Sequence, residues 1–235
     1  MSVIFEIWKS KDERVNSFLQ KYPEIPELLN EIFDTPRILI SVAQKSDLST
    51  EQTVLLQLWR TIYDYQEDSL FLLICKRFDA GFALLRMAAE LARDIARMAE
   101  DSANYAMWQS KDKIKREEYY RQTFRFNKKN PAEKFVLEQY NLFSNFGIHG
   151  HSTSICHLDK VGETEDGEYA LLSIQDAAVI RNIGLWMAAY LPVHQVCQSA
   201  FRKQISEVDP KLLDLVERMQ AAFVPSIKAL CSHKA

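Results

Sequence analysis

Residues that end helices are scarce in this chain. Its 235 residues include six glycines and seven prolines, and these two residue types mark most turns and helix ends. Long helices are therefore favoured over a succession of short strands. Hydrophobic residues make up 47% of the sequence, which is enough for a sizeable core at this length. We predict an all-α protein that folds as a single bundle of about six to eight helices.

Clustering of prolines divides the chain into two regions within one domain. Residues 1–48 contain three prolines, which should cut the segment into short helical pieces because proline removes a helical hydrogen bond. These are Pro23, Pro26 and Pro36. We expect an N-terminal helical arm over 1–48 and a helical bundle over 49–235. Near 155–173 the turn-rich sequence "GETEDGE" predicts either a short β-hairpin or a loop.

Two long helices are predicted at the start of the bundle. Ser49 and Gln52 fit a capping box, in which each side chain satisfies a backbone N–H group of the other residue. Apolar residues then recur at helical spacing, and Gly81 is the weak point of this stretch. We therefore predict helices over 50–76 and 79–101.

Residues 105–126 are predicted to form a charged helical segment on the surface. Basic residues are mixed there with aromatic ones, a composition that can bind single-stranded nucleic acid by stacking and charge. Glu117 and Glu118 dilute the basic charge, which favours a solvated helix face instead. The net charge of −3 also disfavours a protein whose main task is electrostatic binding of nucleic acid.

Start and stop signals frame the later helices. Asn130 and Pro131 are typical of a helix N-terminus, and two glycines some residues later are typical of its end. Two C-terminal helices follow. Pro192 should kink the first of them, and His194 just beyond the kink is expected in the core or at an interface. Asp209, which precedes a proline, should start the second.

Several functional classes lack their usual signals. The four cysteines form no C-x-x-C pair, so we expect free thiols in a reducing compartment. We expect that the chain has no signal peptide and no membrane-spanning helix, and that it is a cytoplasmic protein with no membrane partner. Phosphate-binding glycine loops, the G-x-S-x-G elbow and the His-Glu-x-x-His motif are absent from the sequence. We therefore expect no cofactor.

The helix predicted over 79–101 carries a narrow charged stripe. At roughly 100° per residue its charged side chains fall within an arc of about 60°, and most of the other positions are apolar or alanine. The stripe consists of Asp79, Arg86, Glu90, Arg93 and Arg97, flanked by Asp94 and Glu100. It either faces solvent as a seam of ion pairs or lines an interior cleft, where each charge needs a partner. The narrowness of the stripe favours the cleft.

Three of the five histidines lie in "SNFGIHGHSTSICH", residues 144–157. His149, if it lies near Arg86 and Glu90, would act as a general base or as a hydrogen-bonding group for a substrate. Alternatively, His149 and His151 would bind a metal, with Glu90 or a later histidine completing the shell. The third interpretation is structural: the glycines permit a turn at a helix end, and the histidines cap its carbonyl groups.

Two stretches of the chain together resemble a known group of proteins. "FDAGFALLRMAAELARDI" carries Arg-x-x-x-Glu at Arg86 and Glu90, and "YNLFSNFGIHGHS" follows later in the chain with Ser144, His149 and Gly150. This arrangement resembles a widespread group of all-helical bacterial proteins of unknown function, in which an Arg-x-x-x-Glu helix precedes a Ser…His-Gly segment.

The resemblance covers about residues 50–155, and more distantly the chain is similar to HEPN-type helical domains. That group includes ribonucleases of toxin–antitoxin and phage-defence systems, whose usual motif places an arginine four to six residues before a histidine. In this chain the nearest arginine before His149 is Arg125. The resemblance therefore implies the fold more directly than it implies the chemistry.

A polar cleft built from Arg86, Glu90 and His149 is the leading prediction for function. Arg86 would bind an anionic group, Glu90 would orient Arg86 or a histidine, and His149 would transfer a proton or hydrogen-bond the ligand. The further candidate binding residues are Tyr140, Ser144 and His151. The expected ligand is a small anionic or nucleotide-like molecule, or RNA.

Other functions are compatible with the same residues. A non-enzymatic helical scaffold that forms a homodimer or binds another partner would use the charged stripe as a seam of ion pairs. A metal-dependent hydrolase would use His149, His151 and Glu90. A ribonuclease would follow from the similarity to HEPN-type domains.

Overall fold

The structure, a computed structural model, describes most of the chain. The described residues are 3–123, seven residues between 134 and 144, 161–163, 169–171 and 176–231. The predicted helix start at Asn130 and the glycines expected to end that helix lie outside these residues.

The described residues are organised as an all-α bundle, as predicted. Nine helices are labelled here, and the described residues between 134 and 144 are also helical, so the predicted number is roughly right. The helices are α1 Val3–Lys21, α2 Glu24–Ala43, α3 Thr50–Ile74, α4 Phe78–Glu100, α5 Ser102–Trp108, α6 Lys113–Thr123, α7 Asp176–Ala200, α8 Arg202–Val208 and α9 Leu212–Cys231.

Two three-residue strands lie between α6 and α7. They are β1 Val161–Glu163 and β2 Tyr169–Leu171, and they pair in the antiparallel sense. Val161 is opposite Leu171, and Glu163 is opposite Tyr169. Both strands fall within the range 155–173 for which the sequence predicted either a hairpin or a loop.

The prediction that prolines cut residues 1–48 into short pieces is wrong for α2. This helix continues for 20 residues and contains both Pro26 and Pro36. Pro26 falls in the first turn, where backbone N–H groups have no partner within the helix, so proline is tolerated there. Pro36 does remove a hydrogen bond from the helix interior, but Ile32 and Leu39 on either side of it are fully buried. Packing of this apolar face holds the helix together across the proline.

The first two bundle helices form where the sequence predicted them, but Gly81 does not separate them. The capping box of Ser49 and Gln52 is present at the start of α3. The chain turns between α3 and α4 at Lys76, which has a φ of 61°. Gly81 instead lies inside α4, where an added Cβ would come within 2.9 Å of Cδ2 of Leu73. This glycine lets the two helices approach each other closely.

Residues 105–126 are not the single exposed helix that was predicted. Within the described part of this segment, α5 ends at Trp108 and α6 begins at Lys113. Asp112 accepts a hydrogen bond from the backbone N–H of Ile114, which helps to start α6. Tyr119 on α6 is completely buried. The sequence-based prediction failed because the many charged residues of this helix hide one inward-facing ring.

The core is built mainly on α3, α4 and α7. One group of buried side chains joins the end of α3, the start of α4 and the first half of α7, and includes Leu73, Phe82 and Trp186. A second group joins the start of α3, the end of α4 and the second half of α7, and includes Trp59 and Ala92. Helix α7 therefore runs antiparallel to α3 and parallel to α4. The indole N–H of Trp186 donates to the backbone oxygen of Gln66 at 2.9 Å, which ties α7 to α3.

The two C-terminal helices form close to their predicted positions. Helix α7 is continuous through Pro192. Helix α9 begins two residues after the predicted Asp209–Pro210 start, and the Asp209 carboxylate accepts from the backbone N–H of Lys211 at 3.0 Å. Among the described residues, no helix is both long enough and apolar enough to cross a membrane. Their three cysteines, Cys75, Cys197 and Cys231, are free thiols.

Candidate functional site

The charged stripe of α4 contains an arginine that two neighbouring residues hold in place. Arg86 and Glu90 are one helical turn apart, and Nε of Arg86 lies 3.0 Å from Oε1 of Glu90. Nη2 of Arg86 donates to the hydroxyl of Tyr140, also at 3.0 Å. The centre of the guanidinium lies 4.9 Å from the centroid of the Tyr140 ring, within range for a cation–π contact. We call Arg86, Glu90 and Tyr140 the Arg86 site.

Ser144 is a second candidate residue in this part of the chain, and its side chain is buried. It follows Tyr140 by four residues, and both residues are helical. The serine is 9% exposed, and its Oγ forms no hydrogen bond among the described residues. Buried hydroxyls usually have a partner, so the hydroxyl of Ser144 is a further polar group to be explained.

The Arg86 site is partly accessible. The side chains of Arg86 and Glu90 are 22% and 33% exposed. Interactions between charges are stronger here than on an open surface because less water surrounds them. Both side chains nevertheless keep part of their surface in contact with solvent.

Farther along α4, the stripe turns into the protein interior. Arg93 and Asp94 are 3% and 6% exposed, and Nη2 of Arg93 lies 2.9 Å from Oδ1 of Asp94. Burial raises the pKa of the Asp94 carboxyl, while Arg93 and the hydroxyl of Tyr119 act in the opposite direction. This pair is therefore interior, whereas Glu100, which flanks the stripe at its end, is 50% exposed.

Each arginine of the stripe has an acidic partner on α4 itself. Arg86 pairs with Glu90 and Arg93 pairs with Asp94. The third pair joins Nη1 of Arg97 to a carboxylate oxygen of Glu100 at 3.6 Å. Acidic residues of the same helix thus compensate all three arginines of the stripe. Among the hydrogen bonds of the described residues, Arg86 is the stripe arginine that also bonds a side chain between 134 and 144, that of Tyr140.

The predicted histidines are not among the residues that the structure describes. His149 and His151 both lie outside them, so the predicted contact of Arg86 with a histidine is not tested. Of the predicted site residues, the structure brings together Arg86, Glu90 and Tyr140. No three histidine, cysteine or carboxylate side chains within the described ranges are placed to share a metal ion. The metal-site alternative therefore gains no support from the described part of the chain.

His194 is a core histidine, as predicted. It is 1% exposed, and its Nδ1 accepts a hydrogen bond from the indole N–H of Trp59 at 2.8 Å. Because Nδ1 is an acceptor, the ring proton of neutral His194 is on Nε2. Burial lowers the pKa of His194 to about 3. A histidine that stays neutral and enclosed at physiological pH is a structural residue and not a proton-transfer group.

The burial of Tyr119 was not predicted from the sequence. Its complete burial beside the Arg93–Asp94 pair connects α6 to the stripe. The neighbouring Tyr120 is 50% exposed, so two adjacent tyrosines have opposite environments. The residues one helical turn before and after Tyr119 are Arg116 and Thr123, which are polar. The sequence therefore shows no apolar face that would predict the burial of Tyr119.

Comparisons of this chain with models of protein families, with curated proteins and with solved structures gave no match.

Proposed function

We propose that the Arg86 site binds an anionic ligand through the guanidinium of Arg86. The observation that carries the proposal is the fixed position of this group, which Glu90 and Tyr140 hold at 3.0 Å each. These bonds use Nε–H and one N–H of Nη2. The N–H groups of Nη1 and the second N–H of Nη2 form a planar fork, which matches the oxygen atoms of a phosphate or carboxylate.

Ser144 supplies the second polar contact in this proposal. Its Oγ is buried and lacks a partner among the described residues, and Ser144 follows Tyr140 by four residues. A hydroxyl in such a position is costly for folding, and a role in ligand binding accounts for its presence. The donor set suits phosphate-bearing molecules, nucleotides included. His149, five residues after Ser144 in the sequence, would share or transfer a proton with the bound group.

A second candidate function is that of a non-enzymatic interaction scaffold. The observation that favours it is the pairing of Arg86, Arg93 and Arg97 with acidic residues of the same helix. A stripe neutralised in this way stabilises the helix without any ligand. In this case Arg86 orients Tyr140 and the segment 134–144 on the bundle, and replacement of Arg86 affects stability but no binding event.

Calorimetric titration with inorganic phosphate, AMP and a short single-stranded RNA distinguishes the two functions. We expect saturable binding of at least one of these probes by the native protein. Arg86→Gln should weaken that binding by about tenfold or more, because a charge-assisted hydrogen bond contributes about 1.5–3 kcal/mol. Tyr140→Phe keeps the ring but removes the hydroxyl, and we expect a smaller loss.

Arg37→Gln is the matched control for Arg86→Gln. Arg37 forms a comparable ion pair with Asp34 on α2, but its side chain is 69% exposed. This variant should bind the probes as the native protein does. Equal affinity of the native protein and the Arg86→Gln variant, or no binding of any probe by the native protein, would contradict the anion-binding proposal and favour the scaffold.

A further inference from the structure

A groove of about 660 Å³ lies between α7 and α9. It is separate from the Arg86 site, since none of the residues that line it belongs to that site. Apolar side chains form both walls: Met187, Leu191 and Pro192 from α7, and Ala221, Val224 and Ile227 from α9. Val224 is 43% exposed. An exposed apolar groove of this kind is typical of a surface that a partner covers.

Contacts between α7 and α9 fix the distance between the two walls of the groove. The amide of Gln195 on α7 donates to the amide oxygen of Gln220 on α9 at 2.9 Å. Near the end of α9 the two helices touch, because an added Cβ on Gly184 would be 2.7 Å from the backbone nitrogen of Cys231. The shape of the groove is therefore fixed before any partner binds.

Four residues of α9 that line the groove share one face of the helix. They are Glu217, Ala221, Val224 and Lys228, and at about 100° per residue they fall within an arc of roughly 60°. The two charged residues stand at the ends of this row and the two apolar residues lie between them. The charges have opposite signs.

This row is complementary to itself when the helix is reversed. The point halfway between Ala221 and Val224 is also halfway between Glu217 and Lys228. A second α9 that runs antiparallel across this point brings each Glu217 opposite Lys228 of the other copy. It also brings each Ala221 opposite Val224, so that a small residue faces a larger one. Such a self-complementary patch is what a two-fold interface requires.

We propose that this groove docks a second copy of the chain, so that the protein is a homodimer whose two-fold axis crosses α9 between Ala221 and Val224. Charge complementarity selects this occupant. An unrelated apolar ligand or helix would use the apolar walls but would not require opposite charges at equal distances from one point. Glu217 already lies 3.6 Å from Arg202, in a pair whose side chains are 54% and 63% exposed. Such a surface pair contributes little, so Glu217 can also engage a second copy.

Charge reversal tests the dimer in the full chain. Sedimentation equilibrium should show a dimer for the native protein. Glu217→Lys and Lys228→Glu each replace two attractive contacts per dimer with two repulsive ones, and each should weaken dimerisation by at least about tenfold. The double variant Glu217→Lys/Lys228→Glu restores opposite charges and should recover most of the affinity. Circular dichroism of every variant verifies that it is folded.

Lys113→Glu is the control for charge reversal, since it changes the same charge on α6, outside the groove, and should leave the dimer unchanged. Failure of the double variant to recover the dimer would overturn the proposal, as would single variants that dimerise like the native protein. A native protein that stays monomeric while an apolar fluorescent dye binds the groove would also overturn it and assign the groove to a small molecule. Arg86→Gln should dimerise normally, which separates this proposal from anion binding.

Discussion

Arg93 and Asp94 are adjacent in the sequence, yet they bind each other inside the bundle. Nε and Nη2 of Arg93 lie 3.2 Å and 2.9 Å from the same oxygen of Asp94. Successive residues of a helix point about 100° apart, so the long arginine side chain must turn back along the helix to reach its neighbour. Both side chains are less than 10% exposed, at 4% and 8%. The two charges therefore compensate each other inside the bundle, and the hydroxyl of Tyr119 also hydrogen-bonds Asp94.

Removal of Arg93 should destabilise the protein strongly. Arg93→Met leaves a buried carboxylate without its cation, and we expect a loss of about 3 kcal/mol in the free energy of unfolding at pH 7, as measured by urea denaturation. Arg93→Met/Asp94→Leu removes both charges and should recover much of this loss. Arg37→Met, at an exposed ion pair, should change stability by no more than about 0.5 kcal/mol.

The loss in Arg93→Met should also depend on pH. Burial raises the pKa of Asp94, and Arg93 is the main group that opposes this rise. Without Arg93 the folded state binds a proton on Asp94 more tightly than the unfolded state does. The stability of Arg93→Met relative to the double variant should therefore increase as the pH falls through the raised pKa of Asp94 toward its ordinary value of 3.8. A difference between the two variants that does not change with pH would contradict this assignment.

Ser144→Ala should stabilise the protein while it weakens ligand binding. The Ser144 hydroxyl is buried without a hydrogen bond among the described residues, so its removal should raise the free energy of unfolding by about 1 kcal/mol. Ser69 is the matched control. It is also buried, but its hydroxyl donates to the backbone oxygen of Gly81 at 2.8 Å. Ser69→Ala should therefore destabilise the protein by about 1 kcal/mol; equal effects at the two serines would refute the distinction.

His194 should make the protein less stable in mild acid. Its pKa falls from 6.5 to about 3 because it is fully buried, so between these values only the unfolded state binds the proton. The stabilising effect is fully present above pH 6.5 and is lost progressively as the pH falls toward 3, at up to about 1.4 kcal/mol for each pH unit. Between pH 7 and pH 5 the expected loss is about 2 kcal/mol.

His194→Asn isolates this contribution of the histidine. Its amide oxygen can still accept the hydrogen bond from Trp59, but asparagine does not titrate. Urea denaturation at pH 7 and pH 5 should show a smaller loss of stability for the variant than for the native protein. The same loss in both proteins would mean that other groups cause the acid sensitivity.

The two buried glycines should differ in their tolerance of alanine. An added Cβ on Gly184 would lie 2.7 Å from a backbone nitrogen of Cys231, whereas the closest atom to a Cβ on Gly81 is the end of the Leu73 side chain, at 2.9 Å. A side chain can move more readily than a backbone. Gly184→Ala should thus cost about 2–3 kcal/mol and Gly81→Ala less, as measured by thermal denaturation. A larger cost at Gly81 would reverse the proposed order.

Local interactions were the part of the fold that the sequence predicted best. Ser49 and Gln52 are three residues apart, so both partners of the capping box are visible in one short stretch. Gly81 was misjudged because its role comes from Leu73, on the other helix of the pair. A glycine between two helices and a glycine at the close approach of two helices look alike in sequence. They differ only in tertiary contacts.

The same limit applies to the candidate site. The Arg86–Glu90 pair follows from its four-residue spacing, and the structure contains it. Tyr140 was named as a candidate from the sequence, but its contact with Arg86 joins residues 54 positions apart, and no spacing rule gives such a contact. Burial of Tyr119 escaped prediction because charged neighbours outweigh one aromatic ring in any average over the segment.

Two indole hydrogen bonds fix how far α7 can slide along α3. Trp59 on α3 donates to His194 on α7, and Trp186 on α7 donates to the backbone oxygen of Gln66 on α3. Each helix therefore supplies one of the two donors. A shift of α7 by one turn, about 5.4 Å, would break both bonds, although leucine and isoleucine contacts could re-form in the new position. These two directional bonds oppose such a shift in addition to the apolar packing, and they favour one helix register.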